Sequence, residues 1–472
     1  MATATEDHAL LIGGERVETG EWLEVRSPYS GDLVGRIAKG GAAEARRALD
    51  AADAAAARPL PAHERARILD AVARLLEEHH DEAARTISAE AGKPMKAARV
   101  EAQRAVSTFT FAAVEARRLA GEVVPMDASP AGAGKLAFTL RRPIGLVGAI
   151  SPFNFPLNLV AHKVAPALAA GCPVVLKPAS ATPLSALFLA SLEEEAGLPA
   201  GWLNVVAGSA SQIGDVLVED DRVKLITFTG SGDVGWGLAE RAHRKRVKLE
   251  LGNATPAIVC PDAPSGTAAK LAANGFSFAG QSCISVQRVF VLADGWDAFV
   301  REFVPKVQAL RVGDPADEET DVGPVIGEDD RDRILAWIGE SKGDVLTGGD
   351  VTDDGLIRPT VIAGPAADDK VQCEEVFGPV VTLTKTTSLD DAIEQANATR
   401  YGLQAAIFTR DVQTSIDAAR RLEFGGVIVN EAPTFRADQM PYGGVKASGN
   451  TREGPAWSVR EMTEERLVVL QT

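Results

Sequence analysis

Between residues 144 and 248 the chain alternates short β-branched runs with helical stretches, with strands at 145–150, 173–176, 203–206 and 225–228 and helices at 157–169, 184–196 and 211–217. Strands joined by helices of this length pair in parallel, and the crossovers cover both faces of the sheet. The pattern therefore predicts a mostly parallel α/β sheet. Directly after its last strand, Gly230-Ser231-Gly232-Asp233-Val234-Gly235 matches G-x-G-x-x-G and leads into a helix. In that context the pattern predicts a dinucleotide lying across the carboxyl ends of the strands.

The remainder follows the same logic. Residues 10–12, 22–26 and 33–37 read as short strands near the N-terminus, and 41–58, 62–91 and 95–119 read as helices, with Pro59 and Pro61 at the first break. From about 250 to 445 a second α/β unit is expected, with strands near 257–260, 288–292, 405–408 and 426–430 and a strand-like piece at 360–362. Residues 121–143 read as a projecting hairpin. A chain of 472 residues exceeds one ordinary core, so two or three domains are expected.

Composition narrows the function. Hydrophobic residues at 46% and charged residues at 24% are ordinary for a globular protein. The net charge of −16 disfavours nucleic acid and acidic membrane surfaces as partners. No secretory leader is visible in residues 1–10 and no apolar run is long enough to span a bilayer. Cys172, Cys260, Cys283 and Cys373 are widely spaced, which fits reduced thiols in the cytoplasm, and the six histidines form no zinc-ligand pattern, so no metal is expected. His79-His80 reads as a pair on a helix surface.

Cys283, in Gly280-Gln281-Ser282-Cys283, is the candidate nucleophile. A free thiol of pKa about 8.5 needs help to ionise near neutral pH. Gly280 permits a tight turn, and residues 284–286 are expected to begin a short helix whose N-terminus favours the thiolate. Glu250, in Glu250-Leu251-Gly252-Asn253, supplies a carboxylate, and Asn154, in Ser151-Pro152-Phe153-Asn154-Phe155-Pro156, supplies an amide donor. A nucleophile, a general base and an oxyanion donor are what acyl transfer requires.

These stretches, with Lys177-Pro178-Ala179, Phe228-Thr229-Gly230-Ser231, Glu375-Val376-Phe377-Gly378-Pro379 and Pro441-Tyr442-Gly443-Gly444, recur in order along nearly the whole chain. In this the sequence resembles the aldehyde dehydrogenase superfamily. The resemblance implies an α/β fold with a Rossmann-like cofactor-binding domain (1–120 and 144–249), a second α/β catalytic domain (250–445) and a β oligomerisation arm with the C-terminal segment (121–143 and 446–472), assembled as a homodimer or homotetramer. In that arm the 121–143 hairpin joins a last strand at 465–470. The implied activity is oxidation of a small-molecule aldehyde to the acid with NAD or NADP. Cys283 forms a thiohemiacetal and then a thioester, the oxyanion being held by Asn154 and the Cys283 N–H, and water activated by Glu250 hydrolyses the thioester. Relatives that hand the acyl group to coenzyme A generally lack this glutamate, so hydrolysis is expected.

The resemblance also assigns cofactor contacts to Ser151, Pro152, Phe153, Lys177, Ala179, Ser180, Gly230, Ser231, Glu375 and Phe377. Lys177 would hold the adenosine ribose, Gly230-Ser231 would lie beside the pyrophosphate, Glu375 would grip the second ribose and Phe377 would pack along the nicotinamide. The generic dinucleotide pattern gives Glu250, about twenty residues on, to a ribose instead. The general-base assignment is preferred because Gly252 and Pro256 shape the glutamate's own turn and Lys177 otherwise has no role. Two departures stand out. Ser180 replaces the glutamate usual in NAD-preferring members, which admits NADP. Asn253-Ala254 stands where Gly-Lys is commoner, with an effect that cannot be derived.

For the substrate, a short or medium aldehyde is expected, polar or anionic ones included, with a semialdehyde or phosphorylated aldehyde as the alternative. Arg104 aligns with a basic contact of phosphorylated-aldehyde enzymes, and Arg436 is expected to add charge at the mouth. Ser282 points the other way, standing where glyceraldehyde-3-phosphate members can carry arginine. Two rival readings are a thiol hydrolase built on Cys283 and His162, and a non-enzymatic structural protein derived from the superfamily.

Overall fold

Two seven-stranded sheets carry the architecture of the computed structural model, which describes residues 7–472. The expected lack of a leader in residues 1–10 rests largely on residues 1–6, which lie outside the described residues. In the first sheet the order is Arg246–Glu250, Val223–Thr229, Leu146–Ile150, Val174–Lys177, Leu203–Val205, Leu10–Ile12 and Glu15–Val17. The first five strands are parallel; the two N-terminal ones join antiparallel at the edge. Val174–Lys177 is buried along its length, as a parallel sheet covered on both faces requires. The helix Asn158–Ala170 behind it is buried on every side, so its apolar residues need no amphipathic pattern.

The second sheet runs Asp344–Thr347, Thr360–Ala363, Val380–Thr386, Arg288–Leu292, Pro256–Val259, Gln404–Phe408 and Gly426–Val429, parallel apart from its first strand. Strands Asp344–Thr347 and Val380–Thr386 were not among the expected ones. Val380–Thr386 directly follows Glu375 to Pro379, so that loop leads into a strand next to Arg288–Leu292 rather than simply trailing 360–362.

The expected helix over 62–91 is two helices, Ala62–Glu78 and His80–Ala91. Helix propensity is continuous there, but His79 leaves helical geometry (φ −102°, ψ 21°), its Nδ1 bonds Glu82 at 3.0 Å, and His80 Nε2 bonds the Arg99 carbonyl at 2.9 Å. Both histidines are only half-exposed and mark the joint, not an unbroken helix surface.

The 121–143 hairpin does join the C-terminal strand. Lys135–Pro143 pairs antiparallel with Thr463–Gln471 from Thr463↔Pro143 to Gln471↔Lys135, and Val123–Val124 adds a third strand. Leu136, Leu140, Leu467, Val469 and Leu470 stay exposed on it.

One buried carboxylate fixes the turn that bears Asn154. Glu101, in the helix Met95–Arg118, accepts from the N–H groups of Leu157 and Asn158 (3.0 and 3.1 Å), the otherwise unpaired donors where Asn158–Ala170 begins. Its other oxygen pairs with Lys93, which also donates to the Asn154 carbonyl at 2.7 Å and lies over the rings of Phe155 (3.8 Å) and Phe278 (4.5 Å). Both members are at most 1% exposed, so removing one strands the other without solvent. Glu101→Ala is expected to destabilise the protein by about 3–5 kcal/mol in chemical denaturation, whereas the double variant Lys93→Met/Glu101→Leu loses less. An unchanged denaturation midpoint in Glu101→Ala contradicts this role.

Candidate active site

Cys283 follows an unusual run of backbone. Phe278, Ala279 and Gly280 all have positive φ (50°, 52° and 71°), and a Cβ on Gly280 would lie 2.1 Å from the Gly378 carbonyl oxygen. Only glycine fits there, and the close approach seats the Cys283 loop against the 375–379 loop. The expected helix after Cys283 does not form. Residues 282–285 make a single turn, closed by Ser285 N–H to the Ser282 carbonyl at 2.9 Å, and the chain enters the Arg288–Leu292 strand too soon to complete a helix. Gln281 anchors the loop, donating to the Pro324 carbonyl (3.2 Å) and accepting from Ile326 N–H (2.8 Å).

Without a helix terminus, burial dominates the thiol and pushes its pKa up to about 12, against a hydrogen bond to Tyr442 that lowers it. The Cys283 Sγ lies 2.9 Å from the Tyr442 hydroxyl. The Cys283 N–H has no acceptor within the described residues. Asn154 is buried beside this loop, its Nδ2 donating to the Gln281 carbonyl at 2.9 Å while its Oδ1 has no partner.

Glu250 ends the strand Arg246–Glu250. It is 3% exposed, neither oxygen has a hydrogen-bond partner, and it faces the same cavity of about 310 Å³ as Cys283. Burial and the nearby Glu453 raise its pKa well above the carboxylate range, while Arg436 and Lys163 act in the opposite sense. Glu453 is held ionised by Lys163 (3.4 Å) and Arg436 (3.0 Å). The two carboxylates are thus pushed in opposite directions, Glu250 up and Glu453 down.

Both candidate substrate arginines line the cavity, but paired. Arg104 Nη2 donates to Asp438 at 2.9 Å. Arg436 is not at the mouth as expected: its side chain is 5% exposed, stacked 3.8 Å over the Tyr442 ring and tied to Glu453, because two fixed partners hold it inside. Phe155, Leu159 and Ile284 give the cavity an apolar wall. His162 is not near the thiol; it is buried on Asp438 (2.9 Å) and Thr108 (3.3 Å), which leaves the thiol-hydrolase reading without its base. Sequence reasoning missed Lys93, Glu101, Lys163, Asp438 and Glu453; Lys163 alone stood out, as a charge in an apolar helix, while Asp438 and Glu453 sit in polar loops that give no signal. It quoted Tyr442 within a motif and gave it no role.

The proposed cofactor contacts lie at the carboxyl edge of the first sheet, apart from Glu375 and Phe377, which come from the loop before Val380–Thr386 of the second. Ser151, just past Leu146–Ile150, has a buried hydroxyl with no partner. Lys177, ending Val174–Lys177, is buried, and burial lowers its pKa with no carboxylate to offset it. Such orphaned polar groups fit a polar ligand. Ala179 is half-buried, and Ser180 is exposed with its hydroxyl donating to the Gly208 carbonyl at 3.2 Å. Pro152 and Phe153 are half-buried, and Phe153 meets Phe377 edge-on at 5.8 Å.

Gly230 and Ser231 lead into the helix Gly232–Arg241. A Cβ on Gly232 would point into open space, whereas one on Gly235 would meet Leu251 at 2.6 Å, so the last glycine serves helix–sheet packing and the approach to the helix start stays clear. Glu375 Oε1 accepts from Asn253 N–H at 2.9 Å, and burial pushes its pKa up to about 7. Gly252 is what admits it, since a Cβ there would lie 2.2 Å from Glu375 Oε2. These residues fit a dinucleotide with its phosphates at the helix start.

The aldehyde dehydrogenase family profile matches residues 16–468. The chain is 42% identical to 3-sulfolactaldehyde dehydrogenase of Priestia aryabhattai over 99% of both chains. Among solved structures it is similar to aldehyde dehydrogenase 21 of Physcomitrella patens in complex with the reaction product succinate (TM-score 0.96, 39% identity, 99% of both chains). It is also similar to glyceraldehyde-3-phosphate dehydrogenase GapN of Methanocaldococcus jannaschii complexed with NADP (TM-score 0.92, 38% identity, 97% of this chain and 100% of that one). The match spans both sheets and the arm, and with it the chain belongs to the aldehyde dehydrogenase family of NAD(P)-dependent oxidoreductases.

Proposed function

We propose that this enzyme oxidises a short polar or anionic aldehyde to its carboxylic acid, with Cys283 as nucleophile, Asn154 as oxyanion donor and Glu250 as general base. The observation that carries this reading is one cavity lined by both Cys283 and Glu250, with the Asn154 amide against the loop that bears the sulfur. The Cys283 sulfur adds to the aldehyde carbon. The resulting oxyanion accepts from the free Cys283 N–H and from Asn154 Nδ2, which exchanges the Gln281 carbonyl for it. Bound NAD(P)+ supplies the hydride acceptor. Glu250, once ionised under the influence of Arg436 and Lys163, takes a proton from the water that cleaves the thioester.

Lys177 and Ser180 would hold the adenosine ribose, Gly230 and Ser231 the pyrophosphate, and Glu375, with Oε1 already on Asn253, the second ribose through Oε2, beside Phe377. Ser151, Pro152, Phe153 and Ala179 would complete the wall. Ser180 in place of a carboxylate favours NADP, and the solved relative GapN binds NADP.

Arg104 and Arg436 supply positive charge around the cavity, and several relatives are named for small polar aldehydes: 3-sulfolactaldehyde, lactaldehyde and glyceraldehyde 3-phosphate. We assign cofactor binding to 1–120 and 144–249 and catalysis to 250–445. The exposed apolar residues of the arm suit pairing with further copies as a dimer or tetramer. Four unpaired cysteines suit the cytoplasm, and no described helix is long and apolar enough to cross a membrane.

Turnover followed by cofactor absorbance across an aldehyde panel tests the reading; a preference for apolar medium-chain aldehydes over anionic short ones overturns the substrate class. Cys283→Ala is expected to abolish turnover. Asn154→Ala is expected to lower kcat by about 10²–10³-fold with cofactor affinity unchanged.

Ser180→Glu is expected to shift the NADP:NAD preference toward NAD by roughly tenfold, about 1.4 kcal/mol. No shift removes Ser180 from the cofactor site.

Glu250→Gln is expected to retain the first hydride transfer and lose hydrolysis, cutting kcat by about 10²–10⁴-fold. Because the folded pKa of Glu250 lies above its ordinary value of 4.5, hydrolysis-limited turnover rises with pH as the carboxyl ionises. The same sign governs stability: the protonated group costs nothing below its unfolded pKa, and stability is lost as pH rises above it. Glu250→Gln removes that loss, so its Tm advantage over wild type widens as pH rises above 4.5. A gap that narrows instead contradicts the raised pKa.

A further inference from the structure

We propose that Tyr442 is a catalytic residue, a phenol donor that holds the Cys283 sulfur in the cavity and hydrogen-bonds the thiolate as it forms. The inference rests on Cys283 being the nucleophile. Its basis is contact with the reacting atom: the Tyr442 hydroxyl lies 2.9 Å from Sγ, and sulfur is its one hydrogen-bonding partner in the described residues.

The ring is locked. Arg436 stacks over it at 3.8 Å, Glu453 holds Arg436 at 3.0 Å, and the backbone of Tyr442 exchanges hydrogen bonds with Glu453 in both directions, at 3.0 and 2.6 Å. The next residue, Gly443, brings the base to the same spot, since a Cβ there would sit 2.7 Å from Glu250 Oε1. One short segment therefore sets the phenol on the thiol and its backbone against the carboxylate.

The other usual aids to a thiolate are missing. No helix begins at Cys283, and the Asn154 amide is on the Gln281 carbonyl. The titratable and charged groups facing the sulfur are Tyr442, Glu375, Arg436 and Glu250; the two carboxylates oppose the anion and Arg436 favours it. Tyr442 alone touches it. The phenol cannot serve as the base, because burial and the neighbouring sulfur raise its own pKa well above 10. It therefore keeps its proton and shares it with a sulfur lone pair, while the thiol proton leaves to solvent. The cation on the ring face draws electron density from the phenol and strengthens the donor.

The test is the rate of iodoacetamide alkylation at Cys283 at about pH 8, where the thiolate fraction sets the rate, located by mass spectrometry, with loss of dehydrogenase turnover followed in parallel. Tyr442→Phe keeps the ring and the Arg436 stack but removes the donor, and is expected to slow alkylation about tenfold. Site-specific replacement of Tyr442 by 4-aminophenylalanine, a weaker neutral donor of nearly the same shape, is expected to give an intermediate rate. Rates unchanged in both variants, at wild-type melting temperature and cofactor affinity, overturn the proposal while leaving Cys283 as nucleophile. Alkylation of Cys283 that spares turnover overturns the nucleophile assignment and this inference with it.

Discussion

Everything at the catalytic edge hangs from the Glu101 carboxylate. It closes the open end of the Asn158–Ala170 helix with one oxygen and neutralises Lys93 with the other, and Lys93 in turn grips the carbonyl of Asn154. Helix starts, an ion and a catalytic turn are thereby satisfied by one side chain with no access to water. A buried ion pair of this kind adds little net stability over an apolar pair, because desolvating two charges costs about as much as their attraction returns. What it adds is direction: the turn held by Lys93 and Glu101 sets the Asn154 amide, the proposed oxyanion donor, against the Cys283 loop.

The same economy of charge governs the cavity. Glu453 is ionised between Lys163 and Arg436, while burial and then Glu453 push the Glu250 pKa up. Burial also pushes the Cys283 thiol up to about 12. Both shifts favour the neutral form of a buried group, which costs less to bury than the charged one. In the proposed reaction the sulfur therefore relies on the Tyr442 hydroxyl already beside it, while the Asn154 amide has first to leave the Gln281 carbonyl.

Strand and helix alternation over 144–248 was legible because parallel strands are apolar on both faces and glycines or prolines mark their ends; the structure shifts those boundaries by a residue or two. The Glu250, Cys283 and Asn154 loops were legible because their glycines and prolines encode backbone shapes. The helix expected after Cys283 was not there, because the chain enters the Arg288–Leu292 strand after a single turn, and the positive-φ run before Cys283 was silent because no local signal in Phe278-Ala279 announces it. The break at His79 was equally silent, since the neighbouring His80 is held by the carbonyl of Arg99 on another helix. Arg436 was misplaced for the same kind of reason: a lone arginine in a loop reads as exposed until Glu453 and Tyr442 are known to enclose it. What the sequence withheld was contact between distant segments.

The 442–453 segment shows how much one such contact decides. Gly449 forms a bridge with Glu250 and could not carry a Cβ, which would lie 2.1 Å from the Leu249 carbonyl oxygen. Ser448 donates to the Gly252 carbonyl at 2.6 Å and accepts from Gly402 N–H at 2.8 Å, tying the edge of the first sheet to the second. Tyr442 and Glu453 lie on either side of this seam and pair with each other through their backbones. A shift along the seam would move the phenol off the sulfur and Glu453 away from Arg436 in one displacement, so position and charge at the site are coupled mechanically. The glycines at 443, 444 and 449 are therefore requirements of distance rather than of flexibility, because the backbone approaches they permit set how far thiol and carboxylate stand from the groups that tune them.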